Sequence, residues 1–254
     1  MKKQFLLIMI SVLWTSGLWA QEYKVSKSTG ELSIQEVNNV KIEGYNGKEI
    51  IFTSSSISKD RDDRAKGLRA ISSIGLEDNT GLGLSVVENN GVVEVRQLRK
   101  MDGPDILIKV PQGISIKYVH TSPYGSDVDI KNVEGELNVS TVHSDVQLEN
   151  VTGPLNIRTV HGDIEASFSA ALSRPVSLTS THGYVDVTMP VATKANLKLN
   201  TSWGEIFIDP DFKLEIDKTG NMIKYSDKMT AKINGGGPEI ILSSTHDNVY
   251  LRKK

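Results

Sequence analysis

The segment LNVSTVHSDVQL (137–148) returns as LNIRTVHGDIEA (155–166) and again as VSLTSTHGYVDV (176–187). Four less regular rows surround these three: ISIKYVH (114–120) continued by SDVDI (126–130), LKLNTSWGEIFI (197–208), LEIDKTGNMIKY (214–225) and IILSSTHDNVYL (240–251). A fixed period of about 20 residues is typical of a solenoid, in which copies of one unit stack on each other. The first row needs one insert, TSPYG (121–125), and we expect such irregularity to lie in loops.

Each row alternates apolar and polar residues, which is the pattern of a β-strand. In the row 137–148, Leu137, Val139 and Thr141 share one side of a first strand, and Val146 and Leu148 share one side of a second. A small residue separates the two halves, and we expect glycine there to provide the positive φ of a sharp corner: Ser144, Gly162, Gly183 and Gly204. The sequence therefore predicts an all-β single-stranded β-helix, or β-solenoid, with coils of about 18–21 residues.

The first twenty residues are predicted to be a signal peptide. Lys2 and Lys3 precede an apolar run from Phe5 to Trp14, and Ala20 offers a small residue for cleavage before Gln21. The run is short for a membrane span, so we expect no transmembrane anchor in the mature chain. The predicted location is the periplasm, the cell surface or the medium.

Residues 21–254 are predicted to form a single elongated solenoid domain, with seven clear coils over 114–251. Upstream, LSIQEVNNVKI (32–42) fits a row with one deletion, and LGLSVVE (82–88) with GVVEV (91–95) fits a row with an insertion. The charged segment 56–75 is predicted to be an excursion from the solenoid. Leu68, Ile71 and Ile74 recur in it at helical spacing, which favours one short helix.

Composition excludes several functions. The chain has no cysteine, which removes disulfides, thiol nucleophiles and zinc–thiolate sites. Its formal net charge is −2 and it has no basic stripe, so we expect no nucleic-acid partner. No phosphate-binding loop, GxSxG or HExxH motif occurs. We therefore expect no cofactor, no catalytic residue and no enzymatic activity.

Three stretches carry a resemblance to a known family: the HGD-containing row, THGYVDVTMP (181–190) and GLRAISSIGLEDNTGLGL (67–84). They resemble the bacterial β-strand-repeat family of unknown function whose members are provisionally labelled adhesins. The resemblance covers about residues 30–251 and implies a right-handed β-helix or β-solenoid on an exported protein. It supplies no catalytic residues.

All five histidines occupy one slot of the repeat: His120, His143, His161, His182 and His246, with Trp203 and Gly220 in the remaining rows. Imidazoles one coil apart would bind Zn²⁺ or another divalent metal, and such a site would use His143, His161 and His182. Alternatively the flat rings stack on one another at a corner. Trp203 in the same slot favours stacking, because an indole is flat and is not a metal ligand.

A second column carries carboxylates at Asp127, Asp145 and Asp163. These would bind calcium through oxygen ligands. Alternatively they would cap the turn backbone, as aspartate beside a corner commonly does. A third possibility pairs them with neighbouring carboxylates as acid and base of a polysaccharide hydrolase or lyase, since inverting glycosidases hold theirs about 6.5–9.5 Å apart.

Two further expectations concern the two sides of the strands. The column at the inner corner is mostly hydroxyl, and its hydroxyls are expected to satisfy one another or the turn backbone: Tyr118, Thr141, Thr159, Ser180, Thr201, Lys218 and Ser244. The predicted function is an adhesin-like or structural envelope protein with a protein or glycan partner. Its predicted contact surface consists of outward residues: Asp145, Gln147, Arg158, Lys198 and Asn200.

Overall fold

The computed structural model describes residues 21–54, 63–65, 67–101, 103–216 and 228–254. The predicted signal peptide lies outside these residues. The described residues form one 3-10 helix (Asp63–Ala65) and these strands: β1 (Gln21–Val25), β2 (Thr29–Gln35), β3 (Asn39–Tyr45), β4 (Ile50–Ser54), β5 (Leu84–Asn89), β6 (Val92–Gln97), β7 (Asp105–Pro111), β8 (Gly113–His120), β9 (Val128–Lys131), β10 (Leu137–Thr141), β11 (Val146–Glu149), β12 (Leu155–Thr159), β13 (Ile164–Ser167), β14 (Val176–Ser180), β15 (Val185–Met189), β16 (Ala195–Thr201), β17 (Ile206–Ile208), β18 (Leu214–Ile216), β19 (Lys228–Ile233), β20 (Glu239–Ser244) and β21 (Val249–Lys253).

The strands of the described residues belong to two sheets. The ten-stranded sheet has the order β1-β4-β7-β3-β9-β11-β13-β15-β21-β17. The eleven-stranded sheet has the order β18-β19-β16-β20-β14-β12-β10-β8-β2-β6-β5. Every repeat row except 214–225 places one strand in each sheet, so the predicted strand–corner–strand unit and the all-β, solenoid-like class are confirmed.

Spatial neighbours in the stack are not always neighbours in the sequence. The coil β2–β3 lies between β6–β7 and β8–β9, and the coil β20–β21 lies between β14–β15 and β16–β17. Each end of the described chain therefore contributes a coil to the interior of the stack. The first strand of the predicted coil 214–225 does not join the parallel stack, because β18 pairs antiparallel with β19 at the end of the eleven-stranded sheet. The rest of that row, Gly220 included, lies outside the described residues.

The core consists of the inward side chains of both sheets. Burial alternates along the strands as the sequence predicts: Leu137, Val139 and Thr141 are buried in β10, and Val146 and Leu148 are buried in β11. Parallel pairing in register stacks each residue on its equivalent in the next coil, for example Val139 on Ile157. β-branched and aliphatic side chains suit such a pleated, buried surface.

The corner glycines are needed for space. No positive φ occurs at Gly162, Gly183 or Gly204, so that expectation is wrong. A Cβ at Gly162 would lie 2.0 Å from the carbonyl oxygen of Ser144, and one at Gly183 would lie 2.2 Å from the oxygen of Gly162. At these glycines the corner of one coil thus approaches the corner of the next too closely for a side chain, whereas Ser144 and Asp247 carry one at the same position of their own coils.

Antiparallel strands cover three of the four sheet ends. β4 and β1 cover β7, β5 covers β6, and β19 with β18 covers β16. Among the described strands, β17 is the last of the ten-stranded sheet on the remaining side. Terminal strands that are short or paired limit edge-to-edge association, which is the usual hazard of open sheets.

The described part of the excursion after β4 contains one short 3-10 helix, Asp63–Ala65, but not where the spacing of the apolar residues predicts it. Leu68, Ile71 and Ile74 do not lie on a helix, and all three side chains are exposed. Ile71 instead forms an antiparallel bridge with Glu77. Residues 55–62 of this segment lie outside the described part of the chain.

Candidate functional site

Four histidines form the predicted stack on the surface of the corners. The ring centroids of His143 and His161 are 5.2 Å apart, those of His161 and His182 are 4.8 Å apart, and those of His182 and His246 are 4.6 Å apart. Trp203 continues the stack beside His246, with centroids 6.4 Å apart and the ring planes within 7°. The coil order explains this sequence of rings, since the row of His246 lies between those of His182 and Trp203.

His120 does not belong to this stack, and its predicted slot is wrong. β8 pairs with β10 so that His120 lies opposite Thr141 and Tyr118 lies opposite Val139. The His120 side chain is fully buried, and its Nε2 lies 3.1 Å from Oδ1 of Asn38. Burial lowers the pKa of His120, against a smaller opposing effect of Glu36. His120 is therefore a structural residue of the inner corner.

The stacked geometry does not favour the zinc hypothesis for His143, His161 and His182. Zinc–nitrogen bonds are about 2.1 Å long, so one ion bridges nitrogens no more than about 4.2 Å apart. Nearly parallel rings with centroids 4.8–5.2 Å apart hold equivalent nitrogens at about the ring spacing. No group of three or more His, Cys, Asp or Glu side chains within the described ranges forms a metal-binding cluster.

Two of the three carboxylates of the second column, Asp145 and Asp163, accept hydrogen bonds from the backbone, whereas Asp127 is exposed. Oδ1 of Asp145 accepts a hydrogen bond from the Asp163 amide at 2.8 Å, and Oδ1 of Asp163 accepts one from the Tyr184 amide at 2.9 Å. The side-chain amide oxygen Oδ1 of Asn248 likewise accepts a hydrogen bond from the Glu205 amide, at 2.8 Å. Burial raises the pKa of Asp163, and the hydrogen bond from Tyr184 opposes that effect. This arrangement favours turn capping over calcium binding or acid–base catalysis for Asp145 and Asp163.

The inner hydroxyls bridge successive coils through the backbone. Ser180 Oγ accepts from the Gly183 amide of its own coil and donates to the Gly162 carbonyl of the preceding coil, both at 2.9 Å. Ser244 repeats this pattern with Asp247 and Gly183. The predicted bonding to the turn backbone is confirmed for these residues. Tyr118 is not a member of the column, and Lys218 lies outside the described residues.

We expect Ser180→Ala to lower the free energy of unfolding by about 2–3 kcal/mol, because it leaves a buried amide and a buried carbonyl without their partner. Thr179→Ala, one residue earlier on the outer face of the same strand, is the matched control and should cost under about 0.5 kcal/mol. Chemical denaturation of both variants measures the difference. Equal stability of the two variants would show that the hydroxyl ladder adds little.

The structure divides the predicted contact surface between two faces. Gln147 lies on the outer face of the ten-stranded sheet, and Asp145 lies at the corner that leads to it. Arg158, Lys198 and Asn200 lie on the outer face of the eleven-stranded sheet. These five residues therefore do not form one surface.

A shallow trough of about 350 Å³ lies on the outer face of the ten-stranded sheet. Five successive strands contribute to it, from β9 to β21 in spatial order. Its side chains include Gln147, Glu149, Glu165, Ser167, Asp186 and Arg252. We call this feature the axial trough, because its columns of equivalent residues run along the stack.

The charged side chains of the axial trough are fixed by ion pairs and by a hydrogen bond from the Tyr184 hydroxyl. Lys131 pairs with Glu149 and Arg252 pairs with Asp186, each at 2.8 Å. The Tyr184 hydroxyl donates a hydrogen bond to Glu165, which raises the pKa of Tyr184. Arg252 is a trough residue that the repeat pattern does not predict as a contact residue, although its position three residues after the inward Val249 places it on an outward face.

The column of the axial trough that contains Glu165 and Asp186 continues with two aromatic rings toward the end of the sheet. Register aligns Glu165 with Asp186, Asp186 with Tyr250, and Tyr250 with Phe207. The Phe207 and Tyr250 rings stack with centroids 5.3 Å apart, and the Arg252 guanidinium lies 5.0 Å from the Tyr250 centroid. Phe207 is 45% exposed on the terminal strand. Only the inserted position of β21 brings these residues together.

Register-matched coils in two sheets, with ladders of equivalent side chains, define a β-solenoid-like repeat protein. The chain matches the family described as Toastrack DUF4097 over residues 15–252, and it belongs to that family. This confirms the resemblance to the β-strand-repeat family. Within the described residues, no helix is long and apolar enough to cross a membrane.

Two solved structures are similar to the chain, each at 12% identity. One, from Clostridium sporogenes ATCC 15579, bears the provisional name of a cell adhesion protein; the match covers 93% of this chain and 100% of that one, with a TM-score of 0.47. The other, from Bacteroides fragilis NCTC 9343, is provisionally named an adhesin; the match covers 92% of this chain and 96% of that one, with a TM-score of 0.36. No curated protein matches the chain.

Proposed function

We propose that the protein is an exported, non-enzymatic, adhesin-like solenoid that binds a partner in the cell envelope or outside the cell. The observation that carries this proposal is the axial trough, whose walls come from five strands held in register. A surface built on paired strands is rigid, so little conformational entropy is lost when a partner binds to it. The basic start and apolar run of residues 2–14 support export.

The state of the carboxylates supports a binding role over an enzymatic one. A general acid or base must be able to reach the substrate and to exchange its proton. Asp145 and Asp163 accept hydrogen bonds from the next coil, Asp186 pairs with Arg252, and Glu165 accepts from Tyr184. Each of these carboxylates is already held by a hydrogen bond or an ion pair within the protein. A polysaccharide hydrolase or lyase is the second candidate function, since Glu165 and Asp186 line the same trough.

The test compares binding by residues 21–254 with binding by two matched variants. The filled-trough variant carries Ser167→Arg and Thr188→Arg, which are adjacent in register. The opposite-face variant carries Thr179→Arg and Ser243→Arg, which are adjacent on the other sheet. We expect saturable binding of labelled protein to isolated bacterial envelopes, a loss of about tenfold or more in affinity for the filled-trough variant, and no loss for the opposite-face variant.

Incubation with a panel of polysaccharides checks the enzymatic alternative. We expect no release of reducing ends and no unsaturated products. Release that disappears in Asp145→Asn or Glu165→Gln would instead establish a polysaccharide-degrading enzyme. Absence of saturable binding to any envelope fraction would contradict the proposed function.

A further inference from the structure

We propose that the axial trough and the adjoining Phe207 ring bind a neutral oligosaccharide that lies along the stack. This inference rests on the proposed function and names the ligand class of its site. Three features of the trough carry it: balanced charge, a flat apolar ring at one end, and a regular spacing of polar groups.

The charge of the axial trough favours an uncharged ligand. Lys131 and Arg252 each pair with a carboxylate at 2.8 Å, so an anionic polymer would have to compete with that carboxylate for either cation. Glu165, the third carboxylate, accepts from a phenol. A polyanion would therefore meet no unpaired cation among the side chains that line the trough. Paired carboxylate, guanidinium and amide groups instead offer donors and acceptors side by side, which is what adjacent sugar hydroxyls require.

The aromatic end of the trough supplies a flat apolar surface. One face of the Phe207 ring stacks on the Tyr250 ring of the adjacent strand, so its other face is turned away from β21 toward the end of the stack, where it would cover the terminal unit of a bound oligosaccharide. β17 is the last described strand of its sheet, so no described strand lies beyond Phe207. An exposed, oriented ring beside polar groups suits the apolar C–H face of a pyranose, whose hydroxyls project around its rim.

The spacing of the trough columns suits a polymer of sugar units. Adjacent strands of a sheet are about 4.8 Å apart, so equivalent groups recur at that interval along the trough. One pyranose unit of an extended glycan has a similar length. From Lys131 on β9 to Arg252 on β21 the trough crosses four such intervals, or roughly 19 Å. The site therefore fits an oligosaccharide of several units.

Calorimetric titration of residues 21–254 with neutral hexasaccharides of glucose, mannose, galactose and N-acetylglucosamine tests this inference. We expect at least one of them to bind. The filled-trough variant should lose about tenfold or more in affinity, and Phe207→Ala and Gln147→Ala about threefold or more each. The opposite-face variant should bind as the wild type does. Phe207 and Gln147 are exposed, so these two variants remain informative if the arginine substitutions prevent folding.

Salt and a charged competitor distinguish the ligand classes. Raising the salt concentration from about 0.05 to 0.5 M should change the affinity by less than about twofold, because a neutral ligand has no charge to screen. Binding only of polygalacturonate, or affinity unaffected by filling the trough, would overturn the inference. So would envelope binding that no hexasaccharide competes and that protease treatment of the envelope abolishes. That last result would leave the proposed function standing with a protein partner.

Discussion

Deletion of residues 238–254 is expected to unfold the coil β16–β17 as well as to remove β20 and β21. β20 lies between β14 and β16, and β21 lies between β15 and β17. Four buried side chains leave with the deleted segment, each contributing about 1.5–3 kcal/mol by burial: Ile240, Leu242, Val249 and Leu251. β17 then loses its described partner strand. Hydrogen exchange should show the amides of β16 and β17 exchanging as in an unfolded peptide.

Deletion of residues 21–25 is the matched control at the other terminus. β1 pairs with β4 at the end of the ten-stranded sheet, so its loss uncovers one strand and removes the packing of Tyr23 on Phe52, but every interior coil keeps both of its neighbours. We expect the Tm to fall by less than about 5 °C. In a solenoid with coils in chain order, loss of the last coil leaves the others folded. Protected amides in β16 and β17 after the 238–254 deletion would therefore contradict the inserted position of β20 and β21.

Gly183→Ala is expected to lower the free energy of unfolding by about 3–4 kcal/mol, near the upper end for a single substitution. The new Cβ would lie 2.2 Å from the Gly162 oxygen and 2.5 Å from Oδ1 of Asp163. The coils must move apart at that corner, which weakens the bond from Ser180 to the Gly162 carbonyl and the capping of Tyr184 by Asp163. For a domain of this size the Tm should fall by roughly 10 °C.

Ser144→Ala is the control in the same column. Ser144 already carries a Cβ, and its hydroxyl is buried with no hydrogen-bond partner among the described residues. Removal of an unpaired buried hydroxyl should be neutral or slightly stabilising. Thermal unfolding followed by circular dichroism measures both variants. If Gly183→Ala lost under about 1 kcal/mol, steric exclusion would not be the reason for glycine at this corner.

Much of the candidate site was predictable because successive coils pair in the same register, so that equivalent residues of the repeat lie next to each other. The stack of His143, His161 and His182 and the shared column of Asp145 and Asp163 follow once equal rows lie on each other. The axial trough was not predictable in the same way. Tyr250 and Arg252 belong to the last row, and only the insertion of that row beside β15 brings Arg252 to Asp186.

Two errors have specific physical causes. The sequence pattern predicts a position for His120 that is two residues out of register, because a shift by two leaves every side chain on the same face of a strand and preserves the apolar pattern. Pairing of Ile116 with Leu137 selects the other alignment. The corner glycines were assigned a special φ, because a sequence does not distinguish backbone conformation from lack of space. The carbonyl of the neighbouring coil excludes the Cβ.

The amino-acid sequence determined the strand–corner–strand unit, the inward and outward faces of each strand and the columns of equivalent residues, because these follow from a period of two within a repeat of about twenty residues. The tertiary structure decided the order of the coils and the composition of the trough. All coils have similar inward apolar side chains and can form the same backbone hydrogen bonds with an adjacent coil. The residue pattern of one coil therefore does not specify which other coil it pairs with. The antiparallel strand β4 pairs with the outer edge of β7, and β19 pairs with the outer edge of β16. The coils β2–β3 and β20–β21, which come from the two ends of the described chain, therefore lie inside the stack and not at its ends.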